Sequence, residues 1–144
     1  MFELHPQLHA DTYVIGKFSL SWVLLHKDAN YPWVILVPER EDIREIHHLD
    51  NDDQMALMRE SSHLSEVMVD IFAPKKLNLA ALGNLVSQLH IHHVARFETD
   101  PAWPKPIWGQ VEIKPYSDEL LSQRMAQLRS ALVGEGFNAK DICC

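Results

Sequence analysis

Apolar and polar positions along this chain follow two periods, and their order predicts the elements. Residues 12–18 and 21–26 are short β-rich runs separated by Ser19-Leu20. Residues 27–32, with Asp28, Asn30 and Pro32, read as a turn. Trp33-Val34-Ile35-Leu36-Val37 is continuously apolar and closed by Pro38. So short a run, rich in β-branched residues, predicts a strand buried on both faces. Residues 39–48 are polar and predict irregular chain or one helical turn. The pattern then changes period. Asn51-Asp52-Asp53 supplies an N-cap and negative charge for a helix start, Leu57, Leu64, Met68 and Ile71 recur at helical spacing, and Pro74 follows Phe72 as a stop. Leu77, Leu79 and Ala81 restore alternation, and Gly83-Asn84 marks a turn.

The next run is Gln88-Leu89-His90-Ile91-His92-His93-Val94-Ala95-Arg96. In a strand, side chains alternate faces. Gln88, His90, His92, Val94 and Arg96 then share one face, and Leu89, Ile91, His93 and Ala95 the other. Three prolines at 101, 104 and 106 forbid a helix over residues 100–109 and predict an extended loop holding Trp103 and Trp108. Ser117 caps a last helix with Leu120, Leu121, Met125, Leu128 and Leu132 as its apolar stripe and Gly134 as its stop. Several strands are joined by connections too short for parallel crossovers, so the expected fold class is α+β with an antiparallel sheet.

Composition narrows the picture. The 144 residues suit one domain, spanning 1–144, and no repeat or linker divides them. A net charge of −7 argues against a general nucleic-acid binder, though a locally positive site for a small anion remains compatible with it. No apolar run reaches the roughly 18 residues of a membrane span, and the N-terminal stretch lacks a secretory pattern. The only cysteines, Cys143 and Cys144, are adjacent and read as free thiols in a reducing cytoplasm.

The histidine run carries the chemistry. Two imidazoles side by side on one strand face, between an amide and a guanidinium, make a poor core and a good phosphate site. One alternative is a half-buried strand whose histidines are satisfied by neighbours. Another is a zinc pair, whose third ligand would come from His47, His48, His26 or a carboxylate; the spacing identifies none of them. The third reading is nucleophilic catalysis at phosphorus, in which a neutral imidazole forms a phosphoramidate and a second imidazole contacts the phosphoryl oxygens or leaving group. His47-His48 otherwise reads as part of a solvated turn.

Gln88–Arg96 resembles the signature of the histidine triad (HIT) superfamily of nucleotide hydrolases and transferases, His-φ-His-φ-His-φ-φ with φ apolar. Several members carry an arginine four residues beyond the last histidine, as Arg96 lies beyond His92. That register makes Gln88 the first triad position, His90 the central one and His92 the third. The resemblance implies an α+β fold with an antiparallel sheet, a long helix after the central strands and a C-terminal helix. It is strongest over residues 12–110, with the C-terminal helix expected over 117–134. It nominates His90 as nucleophile and His92 as phosphate and leaving-group contact, while Gln88 replaces a histidine that normally helps orient the site. Lys76-Leu77-Asn78-Leu79 resembles the strand whose asparagine faces substrate. Gly83-Asn84 falls where members have a phosphate contact, and Leu25-His26-Lys27-Asp28 resembles the stretch supplying an acidic ribose contact. Asn78, Asn84, Asp28 (with His26 as its alternative) and Arg96 are therefore the expected substrate-binding residues.

The resemblance implies a hydrolase or nucleotidyl transferase, similar to diadenosine polyphosphate hydrolases, acting on a nucleoside phosphate or dinucleoside polyphosphate. It further implies a homodimer, no organic cofactor and no protein-bound metal, with Mg²⁺ accompanying a polyphosphate substrate at most. The rival from a different class is a non-catalytic nucleotide-binding or sensing protein, which the substitution at Gln88 favours. Trp103 and Trp108 are expected to pin the proline-rich loop to the core, with cover for the site as the alternative.

Overall fold

The computed structural model describes residues 1–140, so Cys143 and Cys144 lie outside the described residues. The strands are β1 (Thr12–Lys17), β2 (Ser21–His26), β3 (Trp33–Pro38), β4 (Lys76–Ala80), β5 (Ile91–Arg96) and β6 (Asn138–Ala139). They form one antiparallel sheet in the order β4-β5-β3-β2-β1-β6. The helices are α1 (Pro6–Asp11), α2 (Asn51–Phe72) and α3 (Asp118–Ala131). The expected α+β class, long helix and C-terminal helix are all present.

Every residue of β3 is buried, because its two faces pack against different layers. Val34 and Leu36 join Leu57, Leu64 and Met68 of α2 and Leu128 at the end of α3 in one apolar cluster. Trp33, Ile35 and Val37 face the other way, toward Leu8 of α1 and Ala102 and Ile107 of the proline-rich loop. Burying each large side chain contributes roughly 1.5–3 kcal/mol, so a Leu64→Ala change in the first cluster is expected to cost about 2–5 kcal/mol once its cavity is counted. Glu60, 1% exposed, fastens α2 to the β1–β2 turn by accepting the Leu20 and Ser21 N–H groups at 2.8 and 3.0 Å.

Asp50, one residue before the expected cap cluster, caps α2 by accepting the Asp53 N–H, and Ser117 caps α3 as expected. Two short elements were not anticipated. Helix α1 has six residues and a histidine cap, and β6 has two residues, too few for either to leave a periodic pattern. Residues 100–109 are a chain of turns rather than extended. Asp100 accepts the N–H groups of Phe97, Ala102 and Trp103, folding the prolines around its carboxylate.

Candidate active site

Strand β5 lies between β3 and β4, with His92 beside Ile35 and Val94 beside Trp33 on β3. The pleat of β5 separates His92 from His93 as the sequence predicts, and His90, one residue before the strand, falls on the His92 side. His90 and His92 line a cavity of about 700 Å³ on the α1 side of the sheet, with ring centroids 4.9 Å apart. His93, fully buried on the α2 side, meets Ser61 Oγ at 2.7 Å.

The hydrogen bonds fix where the protons sit. The Gln88 carbonyl oxygen can only accept, so His90 donates its Nδ1–H to it at 2.7 Å and keeps the lone pair on Nε2. His92 has the opposite arrangement. Its Nδ1 accepts the indole N–H of Trp33 at 2.9 Å, so the proton of the neutral ring is on Nε2. Burial, with smaller contributions from the neighbouring His90, His26 and His93, pushes the pKa of His92 down to about 3. The two imidazoles thus differ in kind. His90 offers a nucleophilic nitrogen, and His92 a neutral N–H donor.

Trp33 is held in turn. His26 stacks on it at 3.6 Å with an interplanar angle of 6°, and His26 Nδ1 accepts the Asp28 N–H at 3.0 Å. Burial lowers the His26 pKa to about 4, so this ring is also neutral with its proton on Nε2. Trp108 stands edge-on to both Trp33 and His92, at 6.0 and 5.1 Å. It lines the cavity together with Leu8, Ile35, Leu82, Leu85 and Val86. Trp108 therefore covers the site, whereas Trp103 packs over the Arg96 guanidinium and pins the loop.

Four expected site residues do not line this cavity. Arg96, 1% exposed, does not line the cavity; its guanidinium forms two bonds to Asp100, at 2.9 and 3.1 Å, and a third to Asn78 Oδ1 at 2.7 Å. The Asn78 carbonyl oxygen is occupied by that contact, and the residue does not line the cavity. Burial raises the Asp100 carboxyl, but the Arg96 bond and the backbone donors outweigh it and leave the pKa low. Asp28 is 4% exposed and accepts the backbone N–H groups of Asn30 and Lys114, bracing a turn instead of meeting a ribose. The Gln88 side chain bonds the N-terminal segment and does not line the cavity. Asn84 does lie on the cavity wall, beside Gly83, whose φ of 93° turns the chain there. Sequence reasoning missed His5, Asp11 and Trp33, which line the same cavity. A lone indole in an apolar run gives no sign that its N–H orients a histidine.

A model of the HIT domain matches residues 7–99, and the chain belongs to that family. Among solved structures it is similar to a histidine triad protein of Marinobacter aquaeolei VT8, with 49% identity over 92% of this chain and 96% of that one and a TM-score of 0.89. A histidine triad protein of Bradyrhizobium japonicum is 45% identical over 91% and 98%, with a TM-score of 0.90. One from Sinorhizobium meliloti 1021 is 37% identical over 91% and 97%, with a TM-score of 0.88. The comparison with curated proteins gave no match. The family supports nucleotide binding or nucleotide hydrolase and transferase chemistry as the general class of function. Among the described residues no helix is long and apolar enough to cross a membrane, and no group of three or more His, Cys, Asp or Glu side chains is gathered to hold a metal ion.

Proposed function

We propose that the protein is a nucleotide hydrolase or nucleotidyl transferase acting on a nucleoside phosphate or dinucleoside polyphosphate through a nucleotidyl-histidine at His90. The observation that carries this reading is the opposite hydrogen bonding of the two imidazoles, His90 Nδ1 to a backbone carbonyl and His92 Nδ1 to an indole N–H. His90 Nε2 attacks the α-phosphorus, a P–N bond forms, and the P–O bond to the leaving group breaks. The leaving phosphate departs as its anion, hydrogen-bonded by His92 Nε2–H. A fixed donor at such a developing charge is worth about 3 kcal/mol. The phosphorylated His90 ring is cationic, and the Gln88 carbonyl that receives its Nδ1–H stabilises that charge. Water then attacks phosphorus, restores neutral His90 and releases the mononucleotide and a proton. In a transferase, another nucleophile takes the place of water.

The cavity suits such a ligand in size, since small-molecule sites span roughly 300–1,000 Å³. Its apolar wall of Trp108, Leu82, Leu85 and Val86 offers a surface for a base. The acidic sugar contact passes from Asp28 to Asp11, which lines the cavity. No organic cofactor takes part, and Mg²⁺ enters only as a companion of a polyphosphate. The expected homodimer forms across the free edge of β4, where exposed Leu79, Met58 and Ile46 line an apolar groove. Light scattering of a Leu79→Lys variant tests it, and unchanged mass would refute that interface.

The test of the activity is a panel of nucleoside phosphates and dinucleoside polyphosphates with wild type and His90→Ala. Turnover by wild type, lost in His90→Ala while nucleotide binding persists, supports the enzyme. Binding without turnover by wild type means a nucleotide-binding or sensing protein instead.

A further inference from the structure

Gln88 occupies the first position of the triad, yet both ends of its amide are taken by the N-terminal segment. Its Oε1 accepts the His5 backbone N–H at 2.9 Å, and its Nε2 donates to the Glu3 carbonyl at 2.9 Å. The amide thus pairs with residues 3–5 as a neighbouring strand's peptide group would. An imidazole's two nitrogens point away from each other, so it does not present a donor and an acceptor side by side as the amide does.

The segment held in this way carries His5 to the wall of the same cavity that His90 and His92 line. His5 is also the cap of α1, its Nδ1 accepting the Gln7 N–H at 3.0 Å. Capping alone does not call for histidine, because short oxygen-bearing side chains are the preferred caps. What histidine adds is a second nitrogen. With Nδ1 accepting, the neutral ring carries its proton on Nε2 and has a donor left over. Gln7, Leu8 and Asp11 of α1 line the cavity as well, so the whole segment is built into the site.

We propose that His5 supplies the third imidazole of the phosphate site, with Gln88 as the positioning residue that latches it there. Glutamine stands at the first position of the signature, and the donor it lacks there comes from a segment 83 residues away in sequence. This assignment rests on the nucleotide reading above and names a contact to the phosphoryl oxygens that the reading itself does not require.

The experiment compares wild type, His5→Ala, His5→Gln, Gln88→Ala and the His5→Ala/Gln88→Ala double variant. Calorimetry measures binding of adenosine 5′-monophosphate and of adenosine, a thermal melt reports folding, and hydrolysis of a dinucleoside polyphosphate gives kcat/KM. A lost hydrogen bond to a charged oxygen predicts a roughly tenfold or greater weakening for the monophosphate in His5→Ala, with adenosine unchanged. His5→Gln, which keeps a donor, recovers part of the loss. Gln88→Ala shows a similar phosphate-specific loss, and the double variant is no worse than the larger single one, because Gln88 acts through His5. Wild-type affinity for the monophosphate in His5→Ala overturns the proposal, as does equal weakening of both ligands. If wild type binds the monophosphate without turnover, the catalytic reading falls, and the monophosphate-to-adenosine comparison still decides the role of His5. If wild type binds neither ligand, both readings fall together.

Discussion

The two faces of β5 use the same side chain for opposite ends. On one face His92, with His90 just before the strand and 4.9 Å away, stands against a cavity, each ring with one nitrogen fixed by the protein and the other left for a ligand. On the other, His93 has no nitrogen to spare. Its Nδ1–H goes to the Ile91 carbonyl at 3.1 Å, and its Nε2 accepts the Ser61 hydroxyl at 2.7 Å. A histidine with both nitrogens satisfied inside the protein is a structural polar group, and one with a nitrogen left over is a reagent. The comparison depends on hydrogen-bond bookkeeping more than on burial, since all three rings are below 10% exposed.

The sharpest way to break the comparison is to exchange the consequences of mutation between the faces. His90→Ala is expected to lower turnover by at least about 10³-fold, as loss of a covalent nucleophile does, with little change in the melting temperature. His93→Ala strands the Ser61 hydroxyl and opens a cavity, costing about 1–3 kcal/mol in a denaturant melt while turnover of the folded fraction persists. Matching effects on both measurements in both variants would erase the distinction.

At the far end of β5, Arg96 and Asp100 form a pair whose side chains are only 1% and 3% exposed. Removing one partner leaves a charge unpaired in the interior, so Arg96→Leu is expected to destabilise by about 3–5 kcal/mol and to leave the nucleotide affinity of the folded protein intact. A selective loss of affinity would return Arg96 to the site.

That residue also shows how much the sequence made legible. Period 2 sorted His93 away from His92, because the pleat enforces alternation whatever the side chains are, and His90 keeps to the His92 side just before the strand begins. It also put Arg96 on the histidine face, but direction along a strand is not reach. Asp100, four residues on, captures the guanidinium before it could extend toward a ligand. The Arg-x-x-x-Asp spacing was visible, and only the turn geometry of residues 97–100 made it a contact. Gln88 and His90 both precede the strand, which begins at Ile91; His90, one residue before it, still falls on the His92 side, whereas Gln88, three residues before it, is turned to other partners. Its true partners are in the N-terminal segment, a separation that no local pattern encodes. Elements fixed by periodicity, such as α2 and β3, were readable to within a residue; contacts fixed by tertiary closure were not.

A smaller effect is expected at Trp33. Trp33→Phe keeps the aromatic plane over His26 but removes the N–H that holds His92 in its tautomer. About a tenfold loss in kcat follows if one well-placed hydrogen bond is at stake, growing as the leaving group becomes more basic and vanishing for very good leaving groups. A loss independent of the leaving group would reduce Trp33 to packing.

Stability against pH gives the finest contrast. Burial lowers His26 and His93 to about 4 and His92 to about 3, from an ordinary 6.5. Between those limits the unfolded chain binds protons that the folded chain does not, so stability falls as pH drops from about 6.5 toward 4. The slope is at most about 1.4 kcal/mol per pH unit for each histidine. His93→Ala is expected to flatten that slope by one histidine's share, and an unchanged slope would show that His93 is not held neutral.

The covalent intermediate is the claim on which the rest turns. Rapid acid-free quenching of wild type during turnover of a dinucleoside polyphosphate, followed by intact-protein and peptide mass spectrometry, tests it directly. The account predicts a transient mass increase of one nucleoside monophosphoryl group, mapped to His90, absent in His90→Ala and present in His93→Ala. Turnover without any adduct, or an adduct that persists in His90→Ala, would contradict it.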